Sequence, residues 1–296
     1  MKEKGKKLTA VALATVVGLS CTGYPLHAQE ETGAENTVLR TGTNEPSETS
    51  VAGVEMNGST TYYDSLNEAV QAVSSGTATI TLRTDATLTG FSADNAIAGT
   101  ITLIGGDHTI TGDGSGIYVS GTLTVESGQF DETATLHALG TIRINGGTIA
   151  HLSTSGEGKT KIIDVYDGTV DQLDVFDGGT ANIYGGLLKR YATGRGGEIH
   201  YRPIFEVTIA YVERDEIAVR PLPNQVTFGK AHYSLDKQNW QTSPYFLDLQ
   251  PNTTYTVYAY YDNAPDMIEQ VRVVTAKLDG SAVIDEPDPL NGTYGQ

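Results

Sequence analysis

Five aspartates, close together in the middle of the chain, are the first residues whose type and spacing suggest chemistry. They are Asp164, Asp167, Asp171, Asp174 and Asp177. Clustered carboxylates can hold a calcium ion or act as general acid and base. Aspartate is also a routine turn residue, and Asp167 occupies a position that holds Gly or Ser in similar stretches nearby. We therefore favour solvated corners, and predict no metal site and no catalytic residue here.

A group of basic side chains follows the aspartates. A polysaccharide lyase needs a cation to stabilise an enolate and a base to take the proton. In so acidic a chain, salt bridges to a neighbouring domain are the favoured interpretation. The histidines show neither metal-ligand spacing nor a Ser-His-Asp pattern, and no cofactor is expected. The basic residues are Lys189, Arg190, Arg195, His200 and Arg202.

Three aromatic residues form the candidate binding site. Tyr166 and Tyr184 each directly follow an aliphatic residue that alternation assigns to the interior, so both should point outward. On adjacent parallel strands they would stack about 4.8 Å apart. Phe176 is expected nearby. Flat aromatic faces on a rigid sheet suit sugar rings, whereas the competing interpretation is that these rings pack on each other or on a following domain.

The elements that must position these side chains repeat along the chain. A short phrase, consisting of an aliphatic residue, two variable residues and glycine, recurs about every 20 residues, which is typical of a solenoid. Apolar residues alternate before each glycine with the period of a strand. The five copies are Leu103–Gly106, Val125–Gly128, Ile144–Gly147, Val165–Gly168 and Ile183–Gly186.

Strand, glycine corner and strand in succession predict a mainly β fold, namely a parallel β-helix of about five to six coils. Glycine permits the sharp corner because it tolerates positive φ. The aliphatic residues of the five copies should form one stacked interior column. These residues are Leu103, Val125, Ile144, Val165 and Ile183.

A hairpin and a short helix are predicted just before the solenoid. Asn57-Gly58 is a hairpin turn signal, and Ser65 with Glu68 fits a capping box at a helix start. The helix should end near Ser75-Gly76. We expect the hairpin and the helix to cap the open strand edge of the first coil, since an unpaired edge can recruit another chain.

These segments resemble the right-handed β-helix modules of Gram-positive surface and secreted proteins. The resemblance rests on Tyr62–Val70, Gly76–Leu82 and Ile101–Gly112, and covers roughly residues 52–195. It implies a large, often adhesin-like polypeptide with a β-helix domain at 51–197. It implies little about the ligand.

The sequence pattern changes after a glycine-rich hinge at Gly194–Gly197. Residues 204–278 carry several short strand patterns separated by turns, which predicts a β-sandwich. Leu249–Tyr258 resembles the E–F corner of fibronectin type III domains, which implies that the Tyr255 hydroxyl binds upstream backbone. Trp240 falls in a hairpin, unlike the early core strand of that family. Residues 279–296 read as a linker or the start of a further repeat.

The N-terminus carries an export signal. Residues 1–28 combine a lysine-rich start, an apolar run and a cleavage site after Ala28, as in a signal peptide. Cys21 is either removed with it or, as a weak lipobox, lipidated. Residues 29–50 read as a disordered leader. With a net charge of −17 the chain is expected to bind no nucleic acid. An extracellular or cell-surface location follows, without a membrane span once the signal is removed.

The sequence therefore predicts a non-enzymatic, exported bacterial scaffold for display or binding, adhesin-like, whose partner is a glycan or an extracellular protein. Two alternatives stay open. One is a β-helix polysaccharide lyase or glycosidase using residues such as Asp174 or Arg190. The other is a structural stalk without a ligand.

Overall fold

A computed structural model describes residues 42–154, 156 and 160–277. The predicted signal peptide with Cys21, the first part of the predicted leader and the linker at 279–296 lie outside these residues. Within the described part, no helix is long and apolar enough to cross a membrane.

The central region is a β-solenoid of about six turns, as the repeat predicted. A 3₁₀ turn, Ala93–Asn95, lies between two of its strands. Its strands are β3 (Thr77–Leu82), β4 (Ala86–Thr87), β5 (Thr100–Thr111), β6 (Ile117–Val119), β7 (Thr122–Phe130), β8 (Leu136–Ala138), β9 (Thr141–Ile144), β10 (Thr148–Thr154), β11 (Ile162–Val165), β12 (Thr169–Val175), β13 (Thr180–Ile183), β14 (Leu187–Leu188), β15 (Tyr191–Thr193) and β16 (Glu198–Tyr201).

The coils stack so that parallel strands form three faces. The first sheet pairs β3, β5, β7, β9, β11, β13 and β16 in that order. The second sheet joins β4, the later parts of β5 and β7, the starts of β10 and β12, and β14. The third joins β6, β8, the ends of β10 and β12, and β15.

The predicted interior column is confirmed. Leu103 pairs in register with Val125, and the alignment continues through the later coils to Ile183. All five side chains are buried. Each coil thus buries its apolar face only against its neighbours, so stability comes from stacking and not from any coil alone.

The glycine that closes each phrase stands at a corner with positive φ. A Cβ on Gly147 would lie 2.4 Å from the Gly128 carbonyl oxygen, and one on Gly168 would lie 2.6 Å from the Gly147 carbonyl oxygen. At Gly147 and Gly168 the corners are therefore in close backbone contact with the preceding coil, which only glycine permits. The φ values are 59° for Gly106, 115° for Gly128, 82° for Gly147, 87° for Gly168 and 75° for Gly186.

The N-terminal end of the solenoid is closed by a hairpin as well as a helix. The hairpin strands are β1 (Ala52–Met56) and β2 (Ser59–Tyr63), and the helix α1 spans Leu66–Ala72. The Ser65 hydroxyl accepts the Glu68 amide hydrogen, as the capping box predicted. Strand β1 pairs antiparallel with β3. The hairpin and the helix were both predicted to cap this end, and the pairing of β1 with β3 satisfies the edge amides directly.

Three boundaries in the structure differ from the predicted ones. Residues 42–50 were expected to belong to a disordered leader, yet Thr43 forms an antiparallel bridge with Tyr62 and Ser50 is buried. Helix α1 ends at Ala72, before the predicted Ser75-Gly76. The solenoid also runs past the glycine hinge predicted at its end, because β16 adds a further rung on β13.

The C-terminal region is a β-sandwich of two small antiparallel sheets, β17–β18–β20 and β19–β21–β22. Buried side chains from both belong to the hydrophobic core. The Tyr255 hydroxyl accepts the Gln250 amide hydrogen at 2.9 Å, so its predicted tie to upstream backbone is confirmed. The elements are β17 (Ile209–Val212), β18 (Ile217–Val219), α2 (Gln225–Phe228), β19 (Ala231–Ser234), β20 (Tyr245–Phe246), β21 (Thr254–Tyr261) and β22 (Ala264–Val274).

Helix α2 closes the other end of the solenoid. The Thr227 hydroxyl accepts the Leu188 amide hydrogen and donates to the Gly186 carbonyl, each at 3.0 Å. The Phe228 ring meets Tyr201 of the last rung edge-on, with centroids 6.2 Å apart. The sandwich thus satisfies backbone groups that the terminal coil would otherwise leave unpaired.

Candidate functional site

Tyr166 and Tyr184 lie side by side where strands β11 and β13 of the first sheet end. Their ring centroids are 4.6 Å apart and their planes differ by 3°. The predicted stacking of these two rings is confirmed. It arises because Val165 and Ile183, which precede them, are paired in register in the interior column.

The stacking covers one face of each ring with the other ring, as the competing interpretation expected. The pair therefore offers ring edges, hydroxyls and its two outer faces, and not one broad flat platform. Tyr166 is 41% exposed. Partial burial raises the pKa of Tyr166, and the nearby Asp164 carboxylate raises it further, so the phenol stays protonated and can donate a hydrogen bond.

A hydrogen-bonded row runs beside the tyrosines on the same outer face. Asp164 stands in register between Arg143 and Asn182 on neighbouring coils. The Arg143 Nε lies 3.5 Å from one Asp164 oxygen, and the Asn182 amide donates to the other at 2.9 Å. Asp164 lies in β11 and Tyr166 directly follows the last residue of that strand, so this row and the tyrosine pair form one rigid surface. We call these five residues the first-sheet patch.

Phe176, the third predicted binding residue, does not belong to this patch. It follows β12, on the other side of the coil, where its amide donates to the Thr154 hydroxyl at 2.8 Å. A Cβ on Gly194 would lie 2.9 Å from its ring, so the ring packs on the next coil. Sequence proximity suggested a shared site, but the intervening strands and corner turn Phe176 away.

The aspartate row is spread over several surfaces, each member with a different partner. Asp171 lies 2.8 Å from the Lys189 ammonium, and Asp177 lies 3.5 Å from the Arg195 guanidinium. Asp167 accepts the Gly168 amide hydrogen at its own corner. No group of three or more potential metal ligands converges within the residues that the structure describes.

The basic residues were expected to bridge the two domains, and this prediction is wrong for three of them. Lys189 and Arg195 pair with solenoid aspartates, as above. The His200 ring contacts Glu198 on its own strand at 3.1 Å. The parallel register places each cation beside a carboxylate of the preceding coil or the same strand, which requires no partner from the sandwich.

A histidine cluster on the third sheet was not found by sequence reasoning. His151 Nε2 lies 2.8 Å from an Asp174 oxygen. His137 stacks on Tyr118 with centroids 4.5 Å apart. In register, Tyr118, His137, Ser153 and Asp174 form one outward column across four coils. Alternation within each strand could have indicated which of these side chains point outward. The strands are short and irregularly spaced, however, so their alignment could not be inferred.

His137 should make the fold less stable in acid. Burial lowers the pKa of His137, and the neighbouring His151 lowers it further. The unfolded chain then binds a proton before the folded chain does, so stability is complete above about pH 6.5 and declines as the pH falls below it. We expect His137→Gln to flatten this decline in urea midpoints measured at about pH 7.5 and 5.5. His108→Gln, on another surface, is the control; an unchanged slope in His137→Gln contradicts the assignment.

A second aromatic cluster was missed on the outer face of the sandwich. Tyr260 stacks on His232 with centroids 4.9 Å apart, and the Trp240 ring meets it edge-on at 4.6 Å. Trp240 lies in the connection between β19 and β20, as its predicted hairpin position implied. These rings cover one another, and their role in the described structure is packing.

Comparison of the chain with protein-family models, curated proteins and solved structures gives no match. The candidate function therefore depends on the residues and contacts described above.

Proposed function

We propose that this protein is a non-enzymatic, exported bacterial scaffold that binds an extracellular glycan through the first-sheet patch. The resemblance of the solenoid to Gram-positive surface modules supports an extracellular setting. The Tyr255 corner supports a fibronectin type III-like module, which would act as a spacer or second binder. A protein ligand is the other partner class that the sequence allowed.

The observation that carries the proposal is the side-by-side arrangement of stacked tyrosines and a hydrogen-bonded Arg143–Asp164–Asn182 row. Rungs recur about every 4.8 Å, so donors and acceptors repeat on the length scale of a sugar ring. Because the side chains are held by register and by each other, little rotamer entropy is lost on binding. Phenol, amide and guanidinium groups can all bind sugar hydroxyls, while the buried Asp164 carboxylate holds Arg143 and Asn182 in place.

Glycan-array binding by matched variants tests this proposal. Tyr166→Phe combined with Tyr184→Phe keeps the stacked rings and removes both hydroxyls. We expect affinity for a bound glycan to fall about tenfold, since each lost hydrogen bond contributes about 0.5–1.5 kcal/mol. The double alanine variant should lose more, because the ring edges and outer faces also disappear.

Tyr191→Phe is the control, since Tyr191 is exposed on the third sheet. Equal binding by the wild type and the double alanine variant would remove the patch from the proposal. Absence of any glycan ligand, with wild-type folding, would favour the structural stalk.

A lyase or glycosidase is the alternative function, and the His151–Asp174 pair is the one observation that favours it. An imidazole held by a carboxylate is a competent general base. The aspartates elsewhere lie on other surfaces and have their own partners. Release of unsaturated or reducing ends from acidic polysaccharides, abolished by Asp174→Asn, would establish this function. If the wild type releases no such ends, the non-enzymatic scaffold remains the favoured function.

A further inference from the structure

Threonines line the outer face of the first sheet in two columns. In β3, β5 and β7 they occur as pairs separated by one buried residue, so both members of each pair point outward. The strand register places equivalent members of successive pairs side by side. We call these residues the threonine columns. The first column consists of Thr77, Thr100, Thr122 and Thr141, and the second of Thr79, Thr102 and Thr124.

The hydroxyls of the threonine columns are available to a ligand. Each of these residues is exposed or half-buried. Among the residues that the structure describes, no hydrogen bond joins a hydroxyl of the columns to another protein group. On the second sheet, by contrast, the Thr87 and Thr111 hydroxyls bond each other at 3.0 Å. A hydroxyl without a protein partner can donate one hydrogen bond and accept others from a bound molecule.

The threonine columns run directly into the first-sheet patch. Thr124 pairs in register with Arg143, which begins the Arg143–Asp164–Asn182 row. The second column and this row therefore form one line across the six strands from β3 to β13. Successive members of the line are about 4.8 Å apart, and the two columns are separated by about 6.6 Å along each strand. The result is one continuous polar surface parallel to the solenoid axis.

Charges along this surface are paired. The Arg143 guanidinium lies 3.5 Å from the Asp164 carboxylate. Beyond Asn182, His200 continues the line in register and contacts Glu198 at 3.1 Å. The threonines are neutral, and the chain as a whole has a net charge of −17, which repels polyanions. A neutral ligand therefore suits this surface better than an acidic polysaccharide does.

We propose that the threonine columns extend the first-sheet patch into a track for a neutral, β-1,4-linked polysaccharide lying along the solenoid axis. This inference rests on the proposed glycan-binding function and names its ligand class. A β-1,4-linked chain is an extended ribbon whose rise per sugar is close to the spacing of the coils, so one sugar can meet each rung. Threonine hydroxyls bond the sugar hydroxyls, and threonine methyl groups contact ring C–H groups. An α-1,4-linked chain curves and would leave the surface.

Titration calorimetry of the full chain with oligosaccharides of defined length tests the track. The probes are dimers and hexamers of β-1,4-linked glucose, mannose and N-acetylglucosamine, with maltohexaose as the α-1,4-linked comparison. We expect at least one β-linked hexamer to bind at least about tenfold tighter than its own dimer, because it reaches more hydroxyls. Maltohexaose should bind at least about tenfold more weakly than that hexamer. A hexamer that binds no tighter than its dimer, or no tighter than maltohexaose, would overturn the proposal.

Isosteric variants locate the extra contacts. Thr102→Val combined with Thr124→Val removes two hydroxyls and keeps the β-branched shape that suits a strand. The ratio of hexamer affinity to dimer affinity should fall about tenfold in this variant. Thr148→Val combined with Thr169→Val is the control, since these two threonines are paired in register on the second sheet. The control should keep the ratio within about twofold of wild type.

The failure of the track can be distinguished from the failure of the patch. Tyr166→Phe combined with Tyr184→Phe should weaken the dimer and the hexamer alike, because both probes would contact the patch. If this variant weakens both probes while the paired Thr102 and Thr124 substitutions leave the affinity ratio unchanged, the patch stands and the track is wrong. If no β-1,4-linked probe binds the wild type but another glycan does, the track is likewise wrong and the patch is retained.

Discussion

Gly147→Ala is expected to lower the free energy of unfolding by about 4 kcal/mol or more, which is among the largest effects of a single substitution. Two costs add. An L-residue at φ 82° costs about 1–2 kcal/mol. The new methyl group would also lie 2.4 Å from the Gly128 carbonyl oxygen, so two stacked corners must separate. Urea unfolding followed by circular dichroism measures the loss.

Gly178→Ala is the matched control for this substitution. Gly178 is also in the solenoid and has a similar φ of 72°, but a methyl group added there would meet nothing within 4 Å. We expect only the conformational cost of about 1–2 kcal/mol. The difference between the two variants isolates the packing of one corner on the next. Equal losses would show that stacking of the corners contributes nothing beyond the preference for positive φ.

Phe228→Ala is expected to cost about 3–5 kcal/mol, the usual range for removing a buried phenylalanine ring. The ring is buried between Tyr201 of the last rung and Tyr261 of the sandwich, with centroid distances of 6.2 and 5.3 Å. Its loss should loosen the contact that holds α2 over the solenoid end. Hydrogen exchange of the β14 and β16 amides should therefore accelerate more than exchange in the central coils.

Val226→Ala provides a control on the same helix. Val226 is 76% exposed, so its truncation should change stability by less than about 0.5 kcal/mol. If Phe228→Ala destabilised only the sandwich, while β14 and β16 exchanged at wild-type rates, the sandwich would not be acting as the cap of the solenoid.

This capping contact changes the role expected of the C-terminal module. Sequence reasoning placed residues 204–278 beyond a glycine-rich hinge, as a module separate from the solenoid. The Thr227 hydroxyl instead hydrogen-bonds the Gly186 carbonyl and the Leu188 amide of the solenoid. Strand β16 also continues the solenoid beyond Gly194–Gly197. The module is therefore part of what allows the β-helix to end without an open edge.

Local rules were enough to predict the architecture. The alternation before each glycine placed Val125 and Ile144 inside, and the glycines placed the corners, because both depend on the backbone geometry of a few adjacent residues. The Asn57-Gly58 turn and the Ser65 cap were predicted for the same reason. The bond of the Tyr255 hydroxyl to upstream backbone was implied by the resemblance of Leu249–Tyr258 to the fibronectin type III corner, and its partner is five residues away.

The candidate sites were predicted less well, because they depend on which coil lies beside which. Tyr166 and Tyr184 were paired correctly, since the same phrase precedes each. Phe176 was expected near the two tyrosines but lies on another face. The sequence does not give the angle of the corner that separates its strand from theirs. The third-sheet column of His137 and Asp174 could not be aligned from short strands joined by connections of unequal length.

By itself, then, the sequence determined the repeat, the interior column and the corners, which follow from alternation and from the conformational freedom of glycine. Only the tertiary structure decided the outward neighbours, since coil-to-coil register brings together side chains about 20 residues apart. It also decided the closure of the solenoid, in which Thr227 reaches backbone groups 39 and 41 residues away. Contacts between residues so far apart in sequence are set by tertiary packing, and a local sequence pattern does not predict them.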